Sequence, residues 1–291
     1  MRGPVSDGGD RRVEGERNIM ESELALPKGQ LMSGKRGLVT GVANRNSIAW
    51  GIASQIVAQG GEAALAYLDS NEKRVRPLGE SIGVSLYVPM DVTNDASMDA
   101  AFAAMADKWG TIDYLVHSIA FADRDQISGS FVENCTREGL ATAIDVSVYS
   151  FVDCARRAAA MMRPGGSLIT MTYLGSERAI PNYNTMGVAK AALEAATRYI
   201  ARDLGPAGVR VNAISAGAMR TLSLAGISGG RSMLAQGRRL SAMREDTSME
   251  GVAGCALWLL SDLGRSTTGE VIHVDAGFHM MGLPAEDETP S

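Results

Sequence analysis

From residue 36 onward, short apolar runs alternate with longer amphipathic stretches. The runs cover residues 36–41, 62–68, 85–92, 112–120, 167–174, 209–215 and 270–277, and most hold Val, Ile, Leu or Ala at consecutive positions. Consecutive apolar positions predict strands buried on both faces, as in a parallel sheet. Between them, residues 47–59, 72–81, 96–108, 138–162, 183–204 and 249–260 carry the spacing of helices with one apolar face. Regular strand–helix alternation with right-handed crossovers gives an α/β fold: a single-domain doubly wound parallel sheet with helices on both faces. No internal repeat or linker interrupts it.

Three stretches fall outside the rhythm. Residues 1–33 are polar, glycine-rich and aperiodic, which predicts a disordered tail. Met20 and Met32 could each begin a shorter chain. The domain is expected over 34–283, with 284–291 as a C-terminal tail. Residues 217–243 carry Gly217, Gly226, Gly229 and Gly230 between a strand and the next clear helix. A glycine-hinged insertion there is either a mobile surface loop or a lid. Its place after a strand's C-terminal end, where such sheets bind ligands, favours a substrate-binding lid.

Composition narrows the classes of function. The 291 residues are 45% hydrophobic and 21% charged, with a formal net charge of −5, so no global basic field suits nucleic acid. No apolar run nears the roughly 20 residues of a membrane-spanning helix. The 33 glycines suit tight strand-to-helix turns. Three scattered cysteines and three histidines form no metal-ligand spacing, so the expectation is a reduced, cytoplasmic protein with no metal.

The candidate chemistry lies at the strand ends. "LVTGVANRNSIAWGIA" reads as strand, glycine turn and helix, with Gly41 ending the strand and Ser47 placed to cap the helix. Backbone amides at such a helix start can bind a pyrophosphate. The glycines lie ten apart, so this is not the GxGxxG pattern. Asp91 ends the third strand, where it either accepts from an adenine amino group or makes an ordinary turn. "HSIAFA" ends the fourth strand with Ser118 and a small Ala120, allowing close approach of a nucleoside. The second strand ends at Leu68 and Asp69 with no cation; Lys73 and Arg74 follow a turn later. A 2′-hydroxyl rather than a 2′-phosphate fits there, so NADH is expected and NADPH is the less favoured cofactor.

Tyr173, Tyr183 and Lys190 complete the set. On a helix, Tyr183 and Lys190 share a face about 10.5 Å apart along the axis. That suits two groups touching different parts of one cofactor–substrate pair; it also suits a core tyrosine beside a solvated lysine.

The whole layout resembles the short-chain dehydrogenases/reductases, with one departure. Their Tyr-x-x-x-Lys would put tyrosine at Met186, and their serine would fall at Tyr173. With tyrosine one turn further from the lysine, the chain resembles a divergent branch of that Rossmann-fold family, the bacterial NADH-dependent enoyl-[acyl-carrier-protein] reductases of type II fatty-acid synthesis. "SGKRGLVTGVANRNSIAWGIA", "HSIAFA", "YLGSERAIPNYNTMGVAKAALEA", "GVRVNAISAG" and "GEVIHVDAGF" carry the resemblance, which covers about residues 31–280. It implies that Tyr183 donates to the reacting oxygen, that Tyr173 is a second active-site tyrosine and that Lys190 holds the nicotinamide ribose. It implies cofactor contacts from Gly41, Ser47, Ile48, Leu68, Asp91, Val92, Ser118 and Ile119, and closure by Met219, Arg220, Thr221, Leu222 and Ser223. Ala122, Tyr173 and Met186 would touch the substrate, an enoyl group carried on acyl carrier protein, and the assembly would be a homotetramer. A carbonyl or alcohol reductase with a relocated tyrosine and a non-catalytic NAD-binding sensor are the alternatives. Ala120 stands where many relatives have Gly, and Ala218 where many have Pro.

Overall fold

A computed structural model describes residues 28–227 and 229–282. Seven strands form one all-parallel sheet: β1 (Arg36–Thr40), β2 (Glu62–Tyr67), β3 (Leu86–Pro89), β4 (Ile112–His117), β5 (Met162–Thr172), β6 (Arg210–Ala216) and β7 (Val271–Val274). Their spatial order is β3-β2-β1-β4-β5-β6-β7. The chain therefore winds outward from β1 in one direction and from β4 in the other. The expected doubly wound sheet is present, with all seven strands.

The period-two alternation of each strand divides the core into two layers. Val39, Leu65, Tyr114 and Val116 point to one face, where α1 (Ile48–Ala58), α2 (Glu72–Ser81) and α10 (Met249–Leu260) pack. Leu38, Ala64, Ala66 and Leu115 point to the other, against α3 (Asp95–Trp109), α5 (Arg137–Ile144), α6 (Ser150–Ala159) and α7 (Asn184–Leu204). A short α4 (Phe131–Asn134) precedes α5. Each fully buried Leu or Ile contributes about 1.5–3 kcal/mol, and both faces of the central strands carry such residues.

Three sequence expectations are corrected. The helix expected over 138–162 ends at Ala159 and is broken by a π-helical turn, Asp145–Tyr149, between α5 and α6. One extra residue per turn leaves the apolar spacing almost unchanged, so periodicity does not reveal it. Met162 instead belongs to β5 and pairs with Ile112, ahead of a register shift in β4.

The expected N-terminal tail lies outside the described residues as far as residue 27, but 28–33 are tied to the domain through Gly29 and Met32. Met32 is fully buried. The amides of Gly29 and Met32 donate to the carbonyls of Ala58 and Gln59 at 3.1 and 2.9 Å. The packed unit thus starts upstream of residue 34, while 283–291 lie outside the described residues.

The glycine-rich insertion contains two helices, α8 (Leu222–Ala225) and α9 (Gly230–Leu240). Gly229, at φ +81°, forms the N-cap of α9. Gly229 and Gly230 at its start and Gly237 in its last turns hide that helix from a propensity reading.

Candidate active site

The switch point between β1 and β4 opens a crevice at the carboxyl ends of the strands, where such sheets bind ligands. Thr40 stitches its floor. Its hydroxyl donates to the Val116 carbonyl at 3.2 Å and accepts from the Ser118 amide at 3.1 Å. Gly41 follows at φ +87°, and a Cβ there would run into the Ser118 carbonyl oxygen. Only glycine satisfies both the left-handed backbone and that close approach.

Ser47 occupies the N-cap position of α1, but its side chain does not cap the helix. The hydroxyl instead accepts from the amides of Ala43 and Asn44, both at 3.0 Å. The expected cap is thus corrected: Ser47 folds the turn back on itself and leaves the helix start without a side-chain acceptor. An uncapped helix N-terminus opening on a cleft fits a pyrophosphate.

The cleft has a volume of about 540 Å³. Of the residues singled out from sequence, Gly41, Ser47, Ile48, Ser118, Ile119, Ala122, Tyr173, Tyr183, Met186, Lys190, Met219, Thr221 and Leu222 all line it. So do Ala120 and Ala218. Leu68, Asp91 and Val92 do not. They follow β2 and β3, whose ends are level because Tyr67 pairs with Pro89, so they form the adjoining rim of the sheet. The Asp91 Oδ1 accepts from the Thr93 amide and hydroxyl at 3.0 and 2.7 Å, folding the turn after β3. Arg220 is exposed and outside the cleft lining. The side chain of Ser223 lies outside the described residues.

Tyr183 and Lys190 share the cleft, with a correction to their setting. Tyr183 is the N-cap of α7 rather than a residue of its first turn. Asn182 and Asn184, on either side of it, both have positive φ, 59° and 32°, a backbone that asparagine tolerates better than most residues. Their side chains hold the neighbouring loop. Asn182 Oδ1 accepts from the Gly129 amide at 3.3 Å, and Asn184 Nδ2 donates to the Gly129 carbonyl at 3.1 Å. The Tyr183 ring lies against Gly175, where a Cβ would strike it. It also meets the Tyr173 ring edge-on, with centroids 5.0 Å apart. Gly175, Asn182 and Asn184 were missed from sequence, although "LGSERAIPNYN" contains all three.

The electrostatics follow from burial. Desolvation pushes the Tyr183 hydroxyl far above the usual phenol range, and Tyr173 and Glu194 add to the shift. Tyr173 is raised for the same reason, with Asp275 contributing. Both phenols are therefore neutral donors at physiological pH. Lys190 is buried, not solvated, and its Nζ donates to the Met171 carbonyl at 2.7 Å. Burial lowers it to about 8, with Glu194 opposing. Beneath it, His117 is fully buried between the hydroxyls of Thr170 and Ser150, at 3.1 and 2.8 Å. Burial and the nearby Lys190 lower it to about 3, so it is neutral.

A sheet of this order, open at its switch point beside an uncapped helix, defines the class: a dinucleotide-binding α/β protein of the doubly wound kind. The family model described as enoyl-(acyl carrier protein) reductase matches residues 41–279, and the chain belongs to that family. It is 48% identical over 258 residues to enoyl-[acyl-carrier-protein] reductase [NADH] 1 of Rhizobium meliloti, covering 88% of this chain and 94% of that one. It is 49% identical over 253 residues to the enoyl-[acyl-carrier-protein] reductase [NADH] FabI of Salmonella typhimurium, covering 87% and 97%. The crystal structure of the Anaplasma phagocytophilum enoyl-(acyl-carrier-protein) reductase in complex with NAD superposes with a TM-score of 0.86 at 47% identity. It covers 90% of this chain and all of that one.

Proposed function

We propose that the chain is an NADH-dependent enoyl-[acyl-carrier-protein] reductase, reducing the trans-2 double bond of enoyl thioesters in fatty-acid synthesis. The observation that carries the reading is the convergence of two neutral phenols and a buried ammonium on one cleft. NADH, when bound, supplies a hydride to the β-carbon. As negative charge gathers on the thioester oxygen, the Tyr183 hydroxyl donates a hydrogen bond to it. Donors fixed in a dry site before the reaction are worth about 2.7–4 kcal/mol each. The raised phenol stays protonated at physiological pH and so is available to donate, and the proton that the α-carbon gains comes from solvent. Tyr173 packs its ring on Tyr183 and keeps water from that face. Lys190 holds the ribose next to the nicotinamide, and the turn at Gly41, Ser47 and Ile48 receives the pyrophosphate.

Leu68, Asp91 and Val92 would receive the adenosine end. The exposed Lys73 and Arg74 sit beyond it. Arg76 is engaged by Glu72 at 2.7 Å and lies over the Tyr87 ring at 4.7 Å, which supports preference for a 2′-hydroxyl. Residues 217–243 act as the lid, with Met219, Arg220, Thr221, Leu222 and Ser223 closing on the cofactor. Ala122, Tyr173 and Met186 meet the acyl group. Of the basic residues at the lid's rim, Arg238 is already paired with Asp246 at 3.0 Å, leaving Arg220, Arg231 and Arg239 to meet an acidic carrier protein. A homotetramer in the cytoplasm completes the reading. Exposed Val188 and Tyr199 on α7 and the three unpaired thiols are in keeping with it.

The test is purified protein with crotonyl thioester, followed by cofactor absorbance. Turnover with NADH, a higher KM for NADPH and no turnover of simple ketones are expected. Ketone reduction without enoyl reduction would replace this reading with a carbonyl reductase, and NADH binding without any turnover would replace it with a sensor.

A further inference from the structure

Glu194 is only 7% exposed, and a buried carboxylate calls for a reason. It lies four residues after Lys190 on α7, one turn further along the face that meets the sheet. The Thr172 hydroxyl donates to its Oε1 at 2.6 Å. The end of β5 thus serves the site through three consecutive residues. The Met171 carbonyl accepts from Lys190, Thr172 fixes Glu194, and Tyr173 packs on Tyr183.

We propose that Glu194 is a positioning residue of this site: fixed by Thr172, its carboxylate is the counter-charge that keeps Lys190 an ammonium, ready for the cofactor ribose. A dry pocket disfavours the charged form of lysine. The other titratable groups around Lys190 do not offset this. His117, from β4, is neutral at physiological pH, and Tyr173 and Tyr183 stay protonated. Glu194 is the one group that raises Lys190, against the larger effect of burial. A neutral amine at 190 would lose the charge-assisted hydrogen bond to a ribose oxygen. The inference rests on the reading of Lys190 as the ribose-holding group, and the test separates the two.

The variants are Glu194→Gln, which keeps shape and removes charge, and Thr172→Val, which removes the fixing hydroxyl. Two readouts follow each full-length protein across about pH 6 to pH 9: NADH affinity by calorimetry, and the Lys190 titration by the shift of its labelled ε-carbon. With Glu194→Gln the Lys190 midpoint should fall by about one pH unit. NADH affinity should then drop about fivefold near pH 8 and recover near pH 6. Thr172→Val should move both the same way by less. An unchanged midpoint in both folded variants overturns the proposal, as does an affinity loss that is the same at every pH. Should the Lys190 titration move while affinity does not, Glu194 keeps its role and the ribose-holding reading of Lys190 fails. If Glu194→Gln does not fold, the Thr172→Val titration decides.

Discussion

Replacing Lys190 with methionine separates what a buried charge costs the fold from what it contributes to the site. Its ammonium titrates at about 8, against an ordinary 10.5. The unfolded chain keeps the proton up to the higher value and the folded protein releases it at the lower one. Below about pH 8 both forms are charged, and the folded state bears the full penalty, about 3 kcal/mol. Between the two values the unfolded state binds more protons, so stability attributable to this group rises with pH. Methionine removes the charge and keeps the length, but gives up the hydrogen bond to the Met171 carbonyl, worth about 1 kcal/mol. Near pH 7, Lys190→Met should therefore be about 2 kcal/mol more stable than the parent. That advantage should shrink by about 2 kcal/mol by about pH 9.5. Reversible denaturant unfolding of both proteins at the two pH values, with NADH calorimetry alongside, gives the readout. NADH affinity should fall sharply in the stabilised variant. A Lys190→Met protein that is less stable near pH 7, or whose difference from the parent does not change with pH, would refute the argument that burial depresses this lysine.

Tyr183→Phe should lower kcat on crotonyl thioester by about 10²–10³-fold with NADH affinity nearly unchanged; steady-state kinetics beside calorimetry checks the split. His117, neutral and lowered from 6.5 to about 3, binds its proton only when unfolded over the range between. Stability from this group is lost as pH falls, by about 2 kcal/mol near pH 5, and urea titrations of His117→Gln should show a flatter acid limb than the parent. Gly41→Ala, at φ +87° against the Ser118 carbonyl, should cost about 1–3 kcal/mol of stability and abolish NADH binding; a variant with native melting and affinity would show that the turn can open.

The sheet was legible because its strands are buried on both faces, so Leu38 and Val39 or Ala64 and Leu65 read as continuous apolar runs. The cleft-lining residues were legible because they end those runs, where the topology gathers them. What the sequence hid was local backbone and burial. The π-helical turn at Asp145–Tyr149 leaves the apolar spacing almost intact. The role of Ser47 depends on which amides its hydroxyl reaches, which residue type does not decide. Lys190 reads equally well as solvated surface until α7 is docked on β5. Glu194 was visible four residues beyond it, but a carboxylate on a helix is ordinarily solvent-facing, and only packing against Thr172 marks it as buried. Asp91 is a strand-end carboxylate one of whose oxygens, Oδ1, is held by its own turn, a detail that residue type does not reveal.

The most direct test of the central claim uses NADH carrying deuterium at both C4 positions, with crotonyl thioester and the unmodified protein. Mass spectrometry and NMR of the product should show a butyryl thioester with one deuterium at the β-carbon and a solvent-derived hydrogen at the α-carbon. Label absent from the β-carbon, or a crotonyl group recovered unchanged while the cofactor is oxidised by a carbonyl compound, would contradict it.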